Sequence, residues 1–342
     1  MLLILFAQAR HAGRLLLLEE IGFLGNIAVL IGSLLVLDRV SDLTITNAAK
    51  IADLTGYGRT TMGFIFVAFC TSLSALAVSL FSALTVDNVG VAIGNAIGSN
   101  IVNICLILGV SLILATLKKL NHMALLPSLA KEEIGSLYFG LFVASIIPLT
   151  LIYIGYASKL VGIVLLGIFG AYTYQLSKKR TTEEKTIARE KERIDKYAVV
   201  MFLGVAVVVA VSYFIVASAS NIAFSLGVPH VIIGATIVAF GTSIPVLTAS
   251  IHAVQRGLLD LTLGNIVGTC FIDTTFILGL TLVVSPLMID ISNFSSLVMF
   301  SVIANLFLWY FLSSAKIGWR EGAVLIFLYV LFLVISISGF RS

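Results

Sequence analysis

The chain has 342 residues, of which 59% are hydrophobic and only 11% charged, against roughly 25% charged residues in a typical soluble domain. This composition excludes a soluble globular protein and predicts an integral membrane protein. The formal net charge of +4 is small, so it indicates no nucleic-acid partner, and only the distribution of the basic residues is informative.

Ten apolar stretches recur along the chain, and each approaches the roughly 20 residues that a helix needs to cross a bilayer core. In chain order they span approximately 22–40, 60–84, 91–116, 137–155, 159–177, 198–218, 231–254, 261–284, 297–313 and 321–338. They are continuously apolar rather than alternating, which excludes a membrane-spanning β-barrel. The predicted fold is an all-α polytopic membrane protein with ten transmembrane helices.

The basic residues predict how the chain is oriented, because Lys and Arg accumulate on cytoplasmic loops. Ten spans place both termini on one side, and 17 of the 21 basic residues fall in the loops of the opposite side. We therefore expect a multi-pass protein of the cell membrane with both termini outside. The charged segment 178–196 is then a cytoplasmic linker between a first half, 1–177, and a second half, 197–342.

The two halves contain an internal repeat, which is the signature of a duplicated structural unit. The alignment has 15 identities in 41 positions and pairs residues 63–83 with 234–254 and residues 93–112 with 263–282. The repeated helices lie within 60–116 and 231–284. A shift of five spans is odd and inverts the second copy, and inverted five-helix repeats are typical of secondary transporters with a binding site near the bilayer midplane.

Polar side chains, which are rare inside membrane spans and usually functional there, are concentrated in these repeated helices. Hydroxyl, amide and carboxylate oxygens suit hard cations such as Na+ and Ca2+. The predicted ligands are Thr71, Ser72, Ser99, Asn103, Thr242, Ser243, Thr269 and Asp273. Pro245 frees a carbonyl group in the preceding turn. The glycines of these helices have an alternative interpretation, which is close helix packing.

The repeated segments resemble the two α-repeats of the sodium/calcium exchangers, within the cation/calcium antiporter superfamily. The residues that carry the resemblance are Gly94-Asn95-Ala96-Ile97-Gly98-Ser99-Asn100-Ile101, Gly241-Thr242-Ser243-Ile244-Pro245 and Gly264-Asn265-Ile266-Val267-Gly268. The resemblance implies a secondary antiporter that moves inorganic cations across the lipid bilayer: Na+ and/or Ca2+, possibly H+. It implies no resident cofactor.

The family pattern Gly-Thr-Ser-Leu-Pro-Glu is incomplete in both copies. Its two Glu positions are Ala75 and Val246 here, and Ser74 stands at the first Pro position. Of the carboxylates that the resemblance implies, only Asp273 remains. One negative charge would leave a bound Ca2+ half compensated, and an unpaired buried charge costs several kcal/mol. One Na+, or one proton on Asp273, would balance the site.

Three functions stay open from the sequence. The first is a cation antiporter with altered selectivity, coupled to Na+ or H+ and weak for Ca2+. The second is ordinary Na+/Ca2+ exchange in which other acids replace the lost pair; the candidates are Asp38, Asp87, Asp260 and Asp290. The third is a transport-incompetent binding or regulatory relative. No enzyme is expected, because the sequence lacks the phosphate-binding, metalloprotease and nucleophile-elbow motifs.

Overall fold

The structure is a computed structural model. It describes residues 21–54, 68–84, 89–117, 156–178, 191–255, 257, 259–288, 291–313 and 318–338, with a few positions between 142 and 153. The predicted fourth span, 137–155, lies largely outside the described residues, and so does most of the linker 178–196.

Helices form almost all of the described chain, and they coincide with nine of the ten predicted spans. They are α1 (Gly22–Leu54), α2 (Ala68–Leu84), α3 (Val89–Leu117), α4 (Lys159–Lys178), α5 (Lys191–Leu226), α6 (His230–Thr242 and Ile244–Gln255), α7 (259–284), α8 (Ile291–Ser313) and α9 (Trp319–Ser338). Two short antiparallel strands, β1 (Tyr156–Ala157) and β2 (Leu287–Met288), pair with each other.

Length and apolar composition qualify five of the described helices to cross a membrane, and the bent α6 makes six. The five are α1, α3, α7, α8 and α9, while α2, α4 and part of α5 are shorter apolar helices. The prediction of an all-α polytopic membrane fold is confirmed.

Two helices extend beyond the predicted spans. Helix α1 continues past residue 40 to Leu54, and α5 begins at Lys191 inside the predicted linker. Both extensions carry charged residues that hydropathy excludes from a span. They contain no Gly or Pro, so the backbone hydrogen bonding of the helix can continue beyond the apolar stretch.

The repeated helices form the interior of the protein. Residues of α3 and α7 dominate the main buried cluster, against which α8 and α9 also pack. Helices α1 and α5 pack along each other and contribute a second cluster with α2 and α6. Large apolar side chains such as Leu24, Leu160 and Phe327 are exposed, as expected for surfaces that face lipid.

Two glycine crossings show that the repeat extends beyond the aligned segments. A Cβ atom at Gly109 of α3 would lie 2.9 Å from the carbonyl oxygen of Gly322 of α9. A Cβ atom at Gly162 of α4 would lie 2.6 Å from the carbonyl oxygen of Gly279 of α7. Since Gly109 and Gly279 are equivalent at an offset of 170, the crossing of α3 with α9 repeats that of α7 with α4.

Candidate ion-binding site

Helices α3 and α7 widen at equivalent places in the middle of the bundle. In α3 the π-helical turns are Val102–Leu108, which contain Asn103, and in α7 they are Ile272–Ile277, which contain Asp273. A π-helical segment shifts the backbone hydrogen bonds by one residue and is frequently found at functional sites. The two widened segments begin 170 residues apart, as the repeat requires, so they are a property of both copies.

The side chains of Asn103 and Asp273 meet at the centre of the repeated core. Asn103 donates a hydrogen bond from Nδ2 to Oδ2 of Asp273 at 3.2 Å, and both residues are fully buried. They occupy equivalent positions of the two copies. The pseudo-twofold axis that relates the repeats therefore passes between them, and the only predicted carboxylate ligand lies beside this axis.

Four buried oxygen atoms of the predicted ligand set have no hydrogen-bond partner among the described residues. They are Ser72 Oγ, Ser99 Oγ, Asn103 Oδ1 and Asp273 Oδ1. The Ser72 hydroxyl lies near enough to Asp273 to interact electrostatically, but outside good hydrogen-bond geometry. Unpaired buried oxygens cost free energy, and this acceptor-rich set is chemically suited to a cation.

Helix α6 is bent by 42° between its two arms. The bend lies at Ser243, with φ −91° and ψ −3°, two residues before Pro245. This confirms the prediction that Pro245 interrupts the helix. The Thr242 carbonyl beside the bend accepts a hydrogen bond of 2.9 Å from Ser74 Oγ of α2. Ser74, which stands where the family pattern has its first Pro, thus stabilises the bend of the other copy.

The two conserved-type threonine positions contact the asparagines of the opposite copy's partner helix. Thr242 Oγ1 donates to Asn95 Oδ1 at 2.9 Å. Thr71 Oγ1 lies 3.4 Å from both Asn265 Oδ1 and Thr269 Oγ1, and it donates to the Ala68 carbonyl at 3.0 Å.

The positions at which the family pattern has Glu are buried and apolar. Ala75 is 3% exposed and Val246 is 1% exposed, and both belong to the main buried cluster. Among the described residues no group of three or more His, Cys, Asp or Glu side chains is placed to bind a metal ion.

The eight predicted ligands are all buried in the repeated helices. The structure brings Ser72, Asn103 and Asp273 together, places Ser99 one turn before Asn103, and joins Thr71 to Thr269. It differs from the prediction at Thr242, whose hydroxyl is donated to Asn95. Ser243 forms the bend of α6.

Three features of the site were not predicted: the widened turns, Ser74 and the pair Asn95 and Asn265. The two asparagines carried a signal, because Gly-Asn is identical in both copies. Ser74 carried none, since it breaks the repeat.

Comparison with known proteins gives a family match over most of the chain. The family model for "Sodium/calcium exchanger protein" matches residues 25–178 and 196–338. An uncharacterised membrane protein of Methanocaldococcus jannaschii is 30% identical over 85% of this chain and 91% of its own length. The sodium/calcium exchanger MaX1 of Methanosarcina acetivorans is 29% identical over 91% of this chain and 98% of its own.

Solved structures agree with this match. The sodium-calcium exchanger NCX_Mj, soaked with Na+ and Sr2+, superposes with a TM-score of 0.65 at 27% identity, covering 90% of this chain and 97% of its own. An H+/Ca2+ exchanger, CAX, superposes with a TM-score of 0.74 over 92% of this chain and 87% of its own, and at 17% identity it shows the fold alone. The chain is therefore an integral multi-pass membrane protein that belongs to the sodium/calcium exchanger family.

Proposed function

We propose that this secondary cation transporter is an antiporter whose central site holds one net negative charge. It carries a monovalent cation, Na+ or H+, as the balanced occupant, and it handles Ca2+ weakly. The observation that supports this proposal most directly is the geometry of Asp273. Its Oδ2 atom accepts a hydrogen bond from Asn103, and its buried Oδ1 atom has no partner among the described residues.

The charge of the bound ion follows from the ligand set. Ser72, Ser99, Asn103, Thr71 and Thr269 supply neutral oxygens, so the carboxylate of Asp273 supplies the fixed charge. A single Na+ or proton neutralises that charge. A Ca2+ ion would retain one positive charge in a low-dielectric interior, where an uncompensated charge costs several kcal/mol. Calcium sites tune affinity through the number of charged ligands.

Ordinary Na+/Ca2+ exchange would require substitute carboxylates. Of the candidates, Asp38 lies on α1 and is only partly buried. The side chains of Asp87, Asp260 and Asp290 lie outside the described residues. A transport-incompetent relative would have no use for unpaired buried oxygens, and the four such atoms around Asn103 and Asp273 favour an ion-binding site over this alternative.

Reconstitution into proteoliposomes tests the proposal. Imposed gradients of Na+, K+, H+, Ca2+ and Mg2+ should reveal flux driven by Na+ or H+, with Ca2+ flux appearing only at high concentration. Protein-free liposomes are the control. Micromolar affinity for Ca2+, or no flux under any gradient, would contradict the proposal.

The proposed orientation, with both termini outside the cell membrane, has a separate test. The three native cysteines are buried, so an impermeant thiol reagent should report mainly on introduced ones. Ala188→Cys in the linker should be labelled only from the cytoplasmic side, and Ser342→Cys only from outside. Labelling of the linker position from outside would overturn the orientation.

A further inference from the structure

Asn95 of α3 connects three helices through hydrogen bonds. Its Nδ2 donates to the Ala75 carbonyl at 3.1 Å and to Ser79 Oγ at 2.9 Å, both on α2. Its Oδ1 accepts from Thr242 Oγ1 of α6 at 2.9 Å. Asn95 is fully buried, and its partners satisfy both ends of the amide. The first copy is thus tied closely together and to the bend of the second.

The equivalent residue of the second copy, Asn265 of α7, lacks most of these bonds. Its Oδ1 lies 3.4 Å from Thr71 Oγ1, whose hydroxyl is closer to the Ala68 carbonyl. Its buried Nδ2 has no partner among the described residues, and neither has the hydroxyl of Ser250, the equivalent of Ser79. The bonds that would tie α7 to α6 through this amide are open.

Residue identity does not explain the difference. The two copies have the same residue at all three positions of the network, in the pairs Asn95 and Asn265, Ser79 and Ser250, and Thr71 and Thr242. The Ala75 carbonyl corresponds to the Val246 carbonyl, and a carbonyl group is available whatever the side chain. The asymmetry therefore belongs to the conformation of the protein, in which one copy is closed and the other open.

Inverted repeats give such an asymmetry a functional meaning. When the two copies exchange conformations, the protein faces the opposite side of the membrane, and the two states are populated according to their relative free energies. Resting on the antiporter function proposed above, the inference concerns how that exchange is controlled.

We propose that Asn95 and Asn265 are reciprocal positioning residues that set which side the transport site faces. In the described conformation Asn95 makes its three bonds. In the opposite conformation Asn265 makes the equivalent bonds to the Val246 carbonyl, Ser250 and Thr71, while those of Asn95 open. Each asparagine stabilises one state, so the two residues act on the same equilibrium with opposite sign.

Ser82 of α2 and Ala253 of α6 are suitable reporter positions. They are equivalent at an offset of 171, each lies three residues beyond the serine of its network, and both are buried. In a background with Cys70, Cys105 and Cys270 replaced by alanine, Ser82→Cys and Ala253→Cys are labelled separately with a small water-soluble thiol reagent. The Ala253→Cys reporter should react faster, because its copy is the open one.

Asn95→Ala should raise the labelling rate at Ser82→Cys about fivefold and lower it at Ala253→Cys, as loss of a buried hydrogen bond shifts a two-state equilibrium. Asn265→Ala should change both rates in the opposite direction. The milder pair Ser79→Ala and Ser250→Ala should give the same pattern, and it keeps the test decisive if an asparagine variant does not fold.

A purely structural role would loosen the protein in the same way from either copy. Equal directions of change at both reporters, or unchanged rates, would overturn the proposal. The labelling rates do not depend on flux, so they can support the reciprocal mechanism even if the ion selectivity proposed above is wrong. Conversely, flux with the expected selectivity and no reciprocal labelling would reject the mechanism alone.

Discussion

The two copies of the repeat share a backbone but differ in charge. Helices α3 and α7 both widen at the same place, although one carries Asn103 there and the other Asp273. The widened turn therefore does not depend on a carboxylate. The second copy adds the negative charge and the bend at Ser243, and the first copy supplies neutral oxygens. Site geometry and site charge are separable in this protein, and each can be altered alone.

Moving the charge across the pseudo-twofold axis tests this separation most severely. Asp273→Asn should reduce ion-driven flux by about 100-fold or more, because removing one partner of a buried charge interaction costs roughly 3–5 kcal/mol. Adding Asn103→Asp to this variant restores one carboxylate at the equivalent position and should recover flux. Both variants are compared with the unaltered protein in proteoliposomes.

The double variant keeps both residue types, the net charge and the total volume of the pair, so it controls for packing. Unchanged flux in a folded Asp273→Asn protein would remove this residue from the mechanism. Loss of flux without recovery in the double variant would mean that the two copies are not interchangeable around the axis.

Adding charge at the two apolar positions should sharpen the difference in ion selectivity. Ala75→Glu combined with Val246→Glu raises the number of site carboxylates from one to three, and Ca2+ affinity should rise by at least about tenfold, because it depends on charged ligands. Isothermal titration calorimetry measures the change. Ala75→Gln with Val246→Gln has the same side-chain length without charge, and equal affinity in both double variants would contradict the charge argument.

Equivalent glycines should show a smaller difference between the copies. A Cβ atom at Gly94 would lie 2.1 Å from the Val231 carbonyl oxygen, whereas one at Gly264 would meet no described heavy atom within 4 Å. Gly94→Ala should therefore destabilise the protein by about 1–3 kcal/mol, as overpacking does, while Gly264→Ala should have little effect. Thermal unfolding in detergent compares them, and equal shifts of Tm would contradict the difference in packing.

Much of this arrangement could be predicted from the sequence. Hydropathy located nine spans that the described residues confirm, because lipid requires apolar helices of fixed length. Self-similarity located the repeated core and its buried ligands, since duplicated positions keep their polar residues. The interpretation of the glycines as packing residues holds at Gly94, Gly98 and Gly109, where a side chain would meet neighbouring backbone.

The remainder depends on tertiary contacts that leave no local pattern. The π-helical turns around Asn103 and Asp273 shift hydrogen bonds without changing composition. The role of Ser74 depends on the distance to a carbonyl of another helix, 168 residues away. The different bonding of Asn95 and Asn265 is a property of one conformation, and two identical residues in a sequence cannot express it.

The bond from Ser74 to the Thr242 carbonyl also bears on the order in which the protein is assembled. Translation produces the first half before α6, so Ser74 and Asn95 are available in the membrane when the bend at Ser243 is inserted. Both groups of Thr242 find partners on those earlier helices. Inside a bilayer an unsatisfied backbone group costs several kcal/mol. We therefore expect the second half, synthesised without the first, to insert α6 poorly, and the first half to serve as its folding template.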